Sequence, residues 1–249
     1  MKEPVVGGAS TVRIGLVFPD LLGTYGDAGN AEVLRQRLRW RGIPAEIVPV
    51  TGDVPGELDL YVLGGGEDAA QVLAARRLQH SGGLRRAAAC GAPILAVCAG
   101  FQILGERFAT GEVPAQAGLG LLDVTTGRCP RRAVGEVVVA PDPILLRCPL
   151  TGFENHLGAT RLGPDAGPLG RVERGVGNGV GDGAEGAVQG RMIATYLHGP
   201  VLARNPEFAD LLLGWVVGAP LEPLTIPAID DLRSRLLRQR SARGRVSGG

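Results

Sequence analysis

Pro93-Ile94-Leu95-Ala96-Val97-Cys98-Ala99-Gly100-Phe101-Gln102 contains a wholly apolar run of strand length that stops at a cysteine. A short run without polar alternation fits a strand covered on both faces. The residues after it, Ala99 to Arg107, have helical character. Working outward, the upstream chain repeats the pattern. Val12 to Phe18, Ala45 to Val50 and Leu58 to Leu63 read as strands, the last stopping at Gly64-Gly65-Gly66. Glu32 to Trp40, Asp68 to Leu78 and Leu84 to Cys90 read as helices between them. Strands alternating with helices imply a mostly parallel α/β sheet with helices on both faces. Right-handed crossovers then bring the strand ends to one edge, where ligands of such sheets bind.

Beyond Arg107 the pattern changes. Leu119 to Thr125, Ala133 to Val139, Gly186 to Gln189 and Met192 to Leu197 read as strands in a more antiparallel arrangement. Gly175 to Gly186 is a glycine-rich loop. Pro206 to Val217 is a helix expected to bury Phe208, Leu211, Leu212 and Trp215. The chain after Asp230 is Arg-rich and ends Ser-Gly-Gly. This divides it into a flexible N-terminus at 1–11, one domain at 12–229 and a tail at 230–249. Arg233, Arg235, Arg238 and Arg240 are read as a solvated helix face, with a partner or anionic lipid as the alternative.

Composition removes several function classes. A formal net charge of +1 offers no global field for nucleic acid. No apolar run approaches the ~20 residues that span a bilayer, and Met1 to Thr11 lacks the regions of a signal peptide. A cytoplasmic protein is expected. The cysteines at 90, 98, 129 and 148 form no CxxC pair, and the three histidines do not cluster, so a zinc site is not expected.

Cys98 then carries the chemistry. A nucleophile where a buried strand turns into a helix is held rigidly at the positive end of the helix dipole, which favours thiolate. The Ala99 N–H is placed to stabilise an oxyanion, and Gly100 lets the helix approach closely. The alternative is a small buried hydrophobe, the reading given to Cys90, Cys129 and Cys148. A thiolate that attacks an amide needs a base. His198 follows the apolar Ile193 to Leu197 and so stands at a strand end; a histidine that only caps its strand is the alternative. His156, in Gly152-Phe153-Glu154-Asn155-His156, competes for the role, whereas His80 is read as solvated. Gly64-Gly65-Gly66 offers a second oxyanion donor, or an ordinary tight turn. Arg132 is a bidentate grip for a substrate carboxylate, or a surface charge.

These motifs together resemble the class I glutamine amidotransferases. The likeness narrows to the cobyric-acid-synthase-like branch, and within it to glutaminase subunits of lipid II isoglutaminyl synthases. It rests on Thr24-Tyr25-Gly26-Asp27-Ala28-Gly29-Asn30, Gly64-Gly65-Gly66, Cys98-Ala99-Gly100-Phe101-Gln102, Gly152 to His156, Gly175-Val176-Gly177-Asn178-Gly179 and Thr195-Tyr196-Leu197-His198-Gly199-Pro200. The order of the six carries the likeness. It implies a flavodoxin-like three-layer fold, with Cys98 as nucleophile, His198 as base, Gly65 and Ala99 as oxyanion donors, and Arg132 (beside Arg131) on the glutamine. It also implies a MurT-like, ATP-dependent synthetase as heterodimer partner at the inner face of the membrane. ATP and Mg²⁺ would bind that partner and no cofactor would bind this chain, which has no GxxxxGK[ST] loop. Many relatives carry Glu two residues after the histidine; here it is Pro200, so the partner is expected to supply the third triad residue and the isolated chain to be weakly active. The rival readings are amidation of a corrinoid and a non-catalytic scaffold.

Overall fold

The structure, a computed structural model, describes residues 11–110 and 113–243. The flexible start and the Ser-Gly-Gly end expected from the sequence fall on 1–10 and 244–249, outside the described residues. β1 (Val12–Val17) lies between β2 (Ala45–Val50) and β3 (Leu60–Leu63), and β3 pairs with β4 (Ile94–Val97), all in parallel. The order β2-β1-β3-β4 is that of a flavodoxin-like doubly wound sheet, whose winding reverses between β1 and β3. Helices α1 (Gly29–Arg39), α2 (Asp68–Ser81) and α3 (Gly83–Ala89) make the crossovers. Every residue of β3 and β4 is buried, which is why both are unbroken apolar runs.

This sheet is extended by a segment from far along the chain. β12 (Met192–Thr195) pairs in parallel with β4, and β11 (Ala187–Gln189) closes the edge antiparallel to β12. The antiparallel assignment from the sequence therefore holds for β11 and fails for β12. Ile193, Ala194 and Thr195 are as enclosed as β4, and the loop after β12 opens at the same edge as the loop after β4.

Helix α4 (Ala99–Leu104) leads into the second sheet, so the expected helix to Arg107 ends three residues early. That sheet holds β5 (Arg107–Thr110), β6 (Val113–Ala117), β7 (Val124–Pro141), β9 (Gly170–Arg174) and β10 (Ala184–Glu185) in the order β10-β9-β7-β5-β6; β8 (Leu150–Leu162) also pairs with β7. The strand expected from Leu119 begins only at Val124. The N–H groups of Leu119, Leu121 and Leu122 instead donate to Ile103 and Leu104 carbonyls at the end of α4. Orphan carbonyls at a helix end need donors, and here the following segment supplies them.

Three helices close the fold: α5 (Val201–Arg204), α6 (Pro206–Val217) and α7 (Pro227–Arg243). α6 buries Phe208, Ala209, Leu212 and Leu213. Leu211 and Trp215, expected on that face, are only partly buried. Arg233 does not serve a free charged face: its guanidinium donates to the carbonyls of Arg204 and Pro149 and to Asn205 Oδ1, which docks α7 on the domain.

Candidate active site

The loops after β1, β3, β4 and β12 meet at the carboxyl edge of the first sheet. Cys98 follows β4 with φ +52° and ψ −102°, a conformation that L side chains rarely adopt. Its N–H donates to Thr195 O (2.9 Å) and its carbonyl accepts from Gln102 N–H (3.1 Å), so strand and helix both hold the bend. Gly100 permits that bend. A Cβ there would lie 2.8 Å from Leu63 Cβ, and the Gly100 N–H donates to Gly64 O at 3.1 Å.

His198 is brought beside Cys98 because β12 and β4 are neighbours. Its backbone is clamped from the second sheet: His198 and Phe153 exchange N–H to carbonyl bonds of 2.9 and 3.2 Å. Its imidazole is fixed by Asp27, in the loop between β1 and α1, a residue of the Thr24 to Asn30 motif to which the sequence reading gives no role of its own. Asp27 is fully buried, and its Oδ2 lies 2.9 Å from His198 Nδ1. The expectation that no carboxylate of this chain reaches His198 is therefore corrected. Without a side chain of its own, Gly65 fills the centre: a Cβ there would lie 2.8 Å from His198 Cε1, 3.1 Å from Asp27 Oδ2 and 3.6 Å from Cys98 Cβ. Cys98, His198 and Asp27 are thus gathered around one glycine.

The same Asp27 Oδ2 accepts the Gly65 N–H at 2.8 Å. That proton is committed, which corrects the assignment of Gly65 as an oxyanion donor. Ala99, the first residue of α4, has no carbonyl one turn back within its helix.

Burial is the largest single influence on His198 and acts to lower its pKa. The hydrogen bond with Asp27, the neighbouring Cys98 sulfur and the Asp27 charge outweigh it and lift the imidazole from 6.5 to about 10. Among the described residues His198 Nε2 finds no hydrogen-bond partner of ordinary geometry, yet the sulfur is near enough to favour its proton. Such contacts are often loose before substrate binds. An imidazolium beside a sulfur is the pairing that holds a nucleophilic thiolate.

The cleft over Cys98 and His198 is also lined by Gln71, Gln102, Arg128, Arg132, Asn155 and His156. Arg132 reaches this lining and Arg131 does not. The Arg132 Nη1 donates to Asn155 Oδ1 at 3.0 Å. Arg128, which the sequence reading passed over, is a second cation on the same wall. His156 is in the wall but built into it, stacked on Tyr196 at 3.8 Å with its Nδ1 3.1 Å from Gly158 O. Cys129 is buried against the carbonyls of Gly158 and Gly179. Cys90 and Cys148 are exposed, contrary to the buried role expected of them.

A family model described as the CobB/CobQ-like glutamine amidotransferase domain matches residues 13–206. The chain is 36% identical over 223 residues to the lipid II isoglutaminyl synthase (glutamine-hydrolyzing) subunit GatD of Staphylococcus aureus strain N315, covering 87% of this chain and 90% of that one. It is 34% identical over 180 residues to the cobyric acid synthase of Sphingopyxis alaskensis, covering 69% of this chain and 34% of that one. Among solved structures, one described as a glutamine amidotransferase superposes with a TM-score of 0.56 at 20% identity, covering 82% of this chain and 98% of that one. That likeness bears on the fold, which it shares.

Proposed function

The chain belongs to the CobB/CobQ-like glutamine amidotransferase family, and on that premise we propose that it is the glutamine-hydrolysing subunit of a lipid II isoglutaminyl synthase. The observation that carries the chemistry is the convergence of Cys98, His198 and Asp27 around Gly65. The lipid II acceptor is supported by the Staphylococcus aureus relative, whose length is matched almost throughout.

In this reading the Cys98 thiolate attacks the side-chain amide carbon of glutamine. The carbonyl electrons move onto oxygen, which takes the Ala99 N–H. His198 gives its proton to the departing nitrogen, ammonia leaves, and a glutamyl thioester remains. A water then attacks the thioester while His198 takes the water's proton, releasing glutamate and restoring the thiolate. Asp27 keeps the imidazole oriented and stabilises its positive charge. Arg132 holds the substrate's α-carboxylate. Ammonia passes to a Mur-ligase-like, ATP-dependent synthetase, which uses ATP and Mg²⁺ to activate the α-carboxyl of the stem-peptide D-glutamate and forms D-isoglutamine. With Asp27 in this chain, the reason for expecting a partner to complete the triad and for weak activity in isolation falls away.

The test is ammonia release from glutamine by the full chain, with and without an ATP-dependent ligase co-purified from the native cell. Release by the wild type that is lost in Cys98→Ser is the expected result. Silence of the wild type in both conditions would leave the scaffold reading standing. Amidation of a corrinoid instead of lipid II by the pair would move the acceptor and keep the glutaminase.

A further inference from the structure

The loop between β1 and α1 crosses the mouth of the cleft, and Tyr25 stands at its tip. Thr24 ties the loop to the glycine turn through its N–H to Gly65 O (3.1 Å). Tyr25 then adopts φ +59°, a left-handed conformation that is strained for a residue with a Cβ, and it leaves a large aromatic 46% exposed. Two contacts hold it there. Its ring meets the His198 imidazole edge-on, centroids 4.9 Å apart. Its hydroxyl oxygen accepts the Asn155 Nδ2 proton at 2.5 Å, and Asn155 Oδ1 in turn accepts from Arg132 Nη1 at 3.0 Å.

Arg132 needs such a tether. It lies in the stretch of β7 between Arg128 and Ala133 where the register with β8 shifts, so it has no β8 residue paired opposite it. Asn155 is also the ladder partner of Val134, so the tether begins beside the irregularity it steadies. His198, Tyr25, Asn155 and Arg132 form a continuous file from one sheet to the other, and all four line the cleft. In an amino-acid amide the carboxylate and the reacting amide are separated by a fixed number of bonds. An arginine gripping the one must stand at a set distance from the thiolate that attacks the other.

We propose that Tyr25 is a positioning residue that, through Asn155, sets where Arg132 stands relative to Cys98 and His198. This rests on the glutaminase reading above. Tyr25→Phe removes the hydroxyl and keeps the ring on His198; Asn155→Ala cuts the same tether from its other end. The measurement is protection of Cys98 from iodoacetamide by glutamine, which reads binding without turnover, alongside KM and kcat for ammonia release. Each variant should raise the half-protecting glutamine concentration and KM about tenfold, with kcat and the alkylation rate without glutamine within about twofold. The double variant should add little to either single one, because both break one file. Unchanged half-protection in Tyr25→Phe, or losses that multiply in the double variant, overturns the proposal, as does a loss confined to thermal stability. Failure of glutamine to protect the wild type removes the glutaminase reading itself, and this inference with it.

Discussion

Cys98 and His198 follow buried parallel strands, with Asp27 beside them in the loop between β1 and α1, whereas Arg132 stands on an exposed irregularity of the long β7–β8 hairpin. The first group is fixed by backbone. Cys98 N–H is tied to Thr195, His198 is clamped by Phe153, and Gly65 is packed so closely that a methyl group would collide. The second is fixed by side chains that meet across the cleft, Arg132 to Asn155 to Tyr25. Bond making tolerates little positional error, so a rigid sheet edge suits the reacting groups. A grip that must open for a substrate suits a hairpin with an irregular register. The division predicts that damage at the sheet edge appears in kcat and damage on the hairpin in KM.

The largest effect expected at the sheet edge short of losing the sulfur is Asp27→Asn. It removes the charge behind His198, and kcat for ammonia release should fall on the order of 10²-fold or more with KM little changed. The pH dependence of stability checks the cause. The folded pKa of His198, about 10, lies above its ordinary 6.5. Its contribution to stability is therefore full below about 6.5 and is lost as pH rises through about 10. The wild-type unfolding midpoint should fall across that window, and the fall should be smaller in Asp27→Asn. Cys98→Ala removes the sulfur that also raises the imidazole, so the ring should titrate lower by NMR. An Asp27→Asn enzyme with wild-type kcat would break the comparison, since the carboxylate would then be structural and another group would steady the imidazole.

On the hairpin, Arg132→Ala should raise KM about 10- to 100-fold, the range for losing a charge-assisted contact, with kcat within a few-fold. Arg128→Ala reports whether the second cation on that wall shares the grip; its effect on KM should be the smaller of the two. A fall in kcat at constant KM in either variant would place the hairpin within the chemistry and erase the division.

The same division explains what could be read in the sequence. β3, β4 and the Cys98 bend were legible because complete burial writes an unbroken apolar run and a close helix approach demands Gly100. Asp27 was not, although its motif was in view: its partners are 38 and 171 residues away, and nothing local distinguishes a buried carboxylate from a polar loop. The one available signal was its place between glycines after the first strand of a doubly wound sheet, where ligand sites lie. The β7–β8 hairpin was legible only in part, for a different reason: Ala133 to Val139 reads as a strand, but most of the rest of β7 and all of β8 do not. Gly127, Pro130 and Gly135 interrupt its alternation, and Pro130 sits where the ladder is out of register and no N–H is required. His198 was legible as a strand end, but its strand was assigned to the wrong kind of sheet, because four residues cannot say which neighbour they will meet.

Glu185 tests whether the seam between the two regions can be altered without touching either. It ends β10 of the second sheet, and its Oε1 accepts from Thr195 Oγ1 and Tyr196 N–H of the first, each at 2.8 Å. Burial raises its pKa from 4.5 to about 7, with Glu154 adding to the shift. A folded pKa above the unfolded one means that the carboxyl's ionisation opposes folding. The penalty is absent below about 4.5, grows as pH rises, and levels off above about 7. Glu185→Gln retains the accepting oxygen and removes the charge. It should therefore raise the unfolding midpoint at pH 8 by a few degrees, about 1–3 kcal/mol, and leave it near the wild type at pH 4.5. The glutaminase rate should stay within about threefold, since Cys98, His198 and Arg132 keep their own supports. A large loss of kcat would mean that the seam carries part of the alignment of His198, two residues beyond Tyr196, and that the sheet edge is rigid only while the second sheet is docked against it.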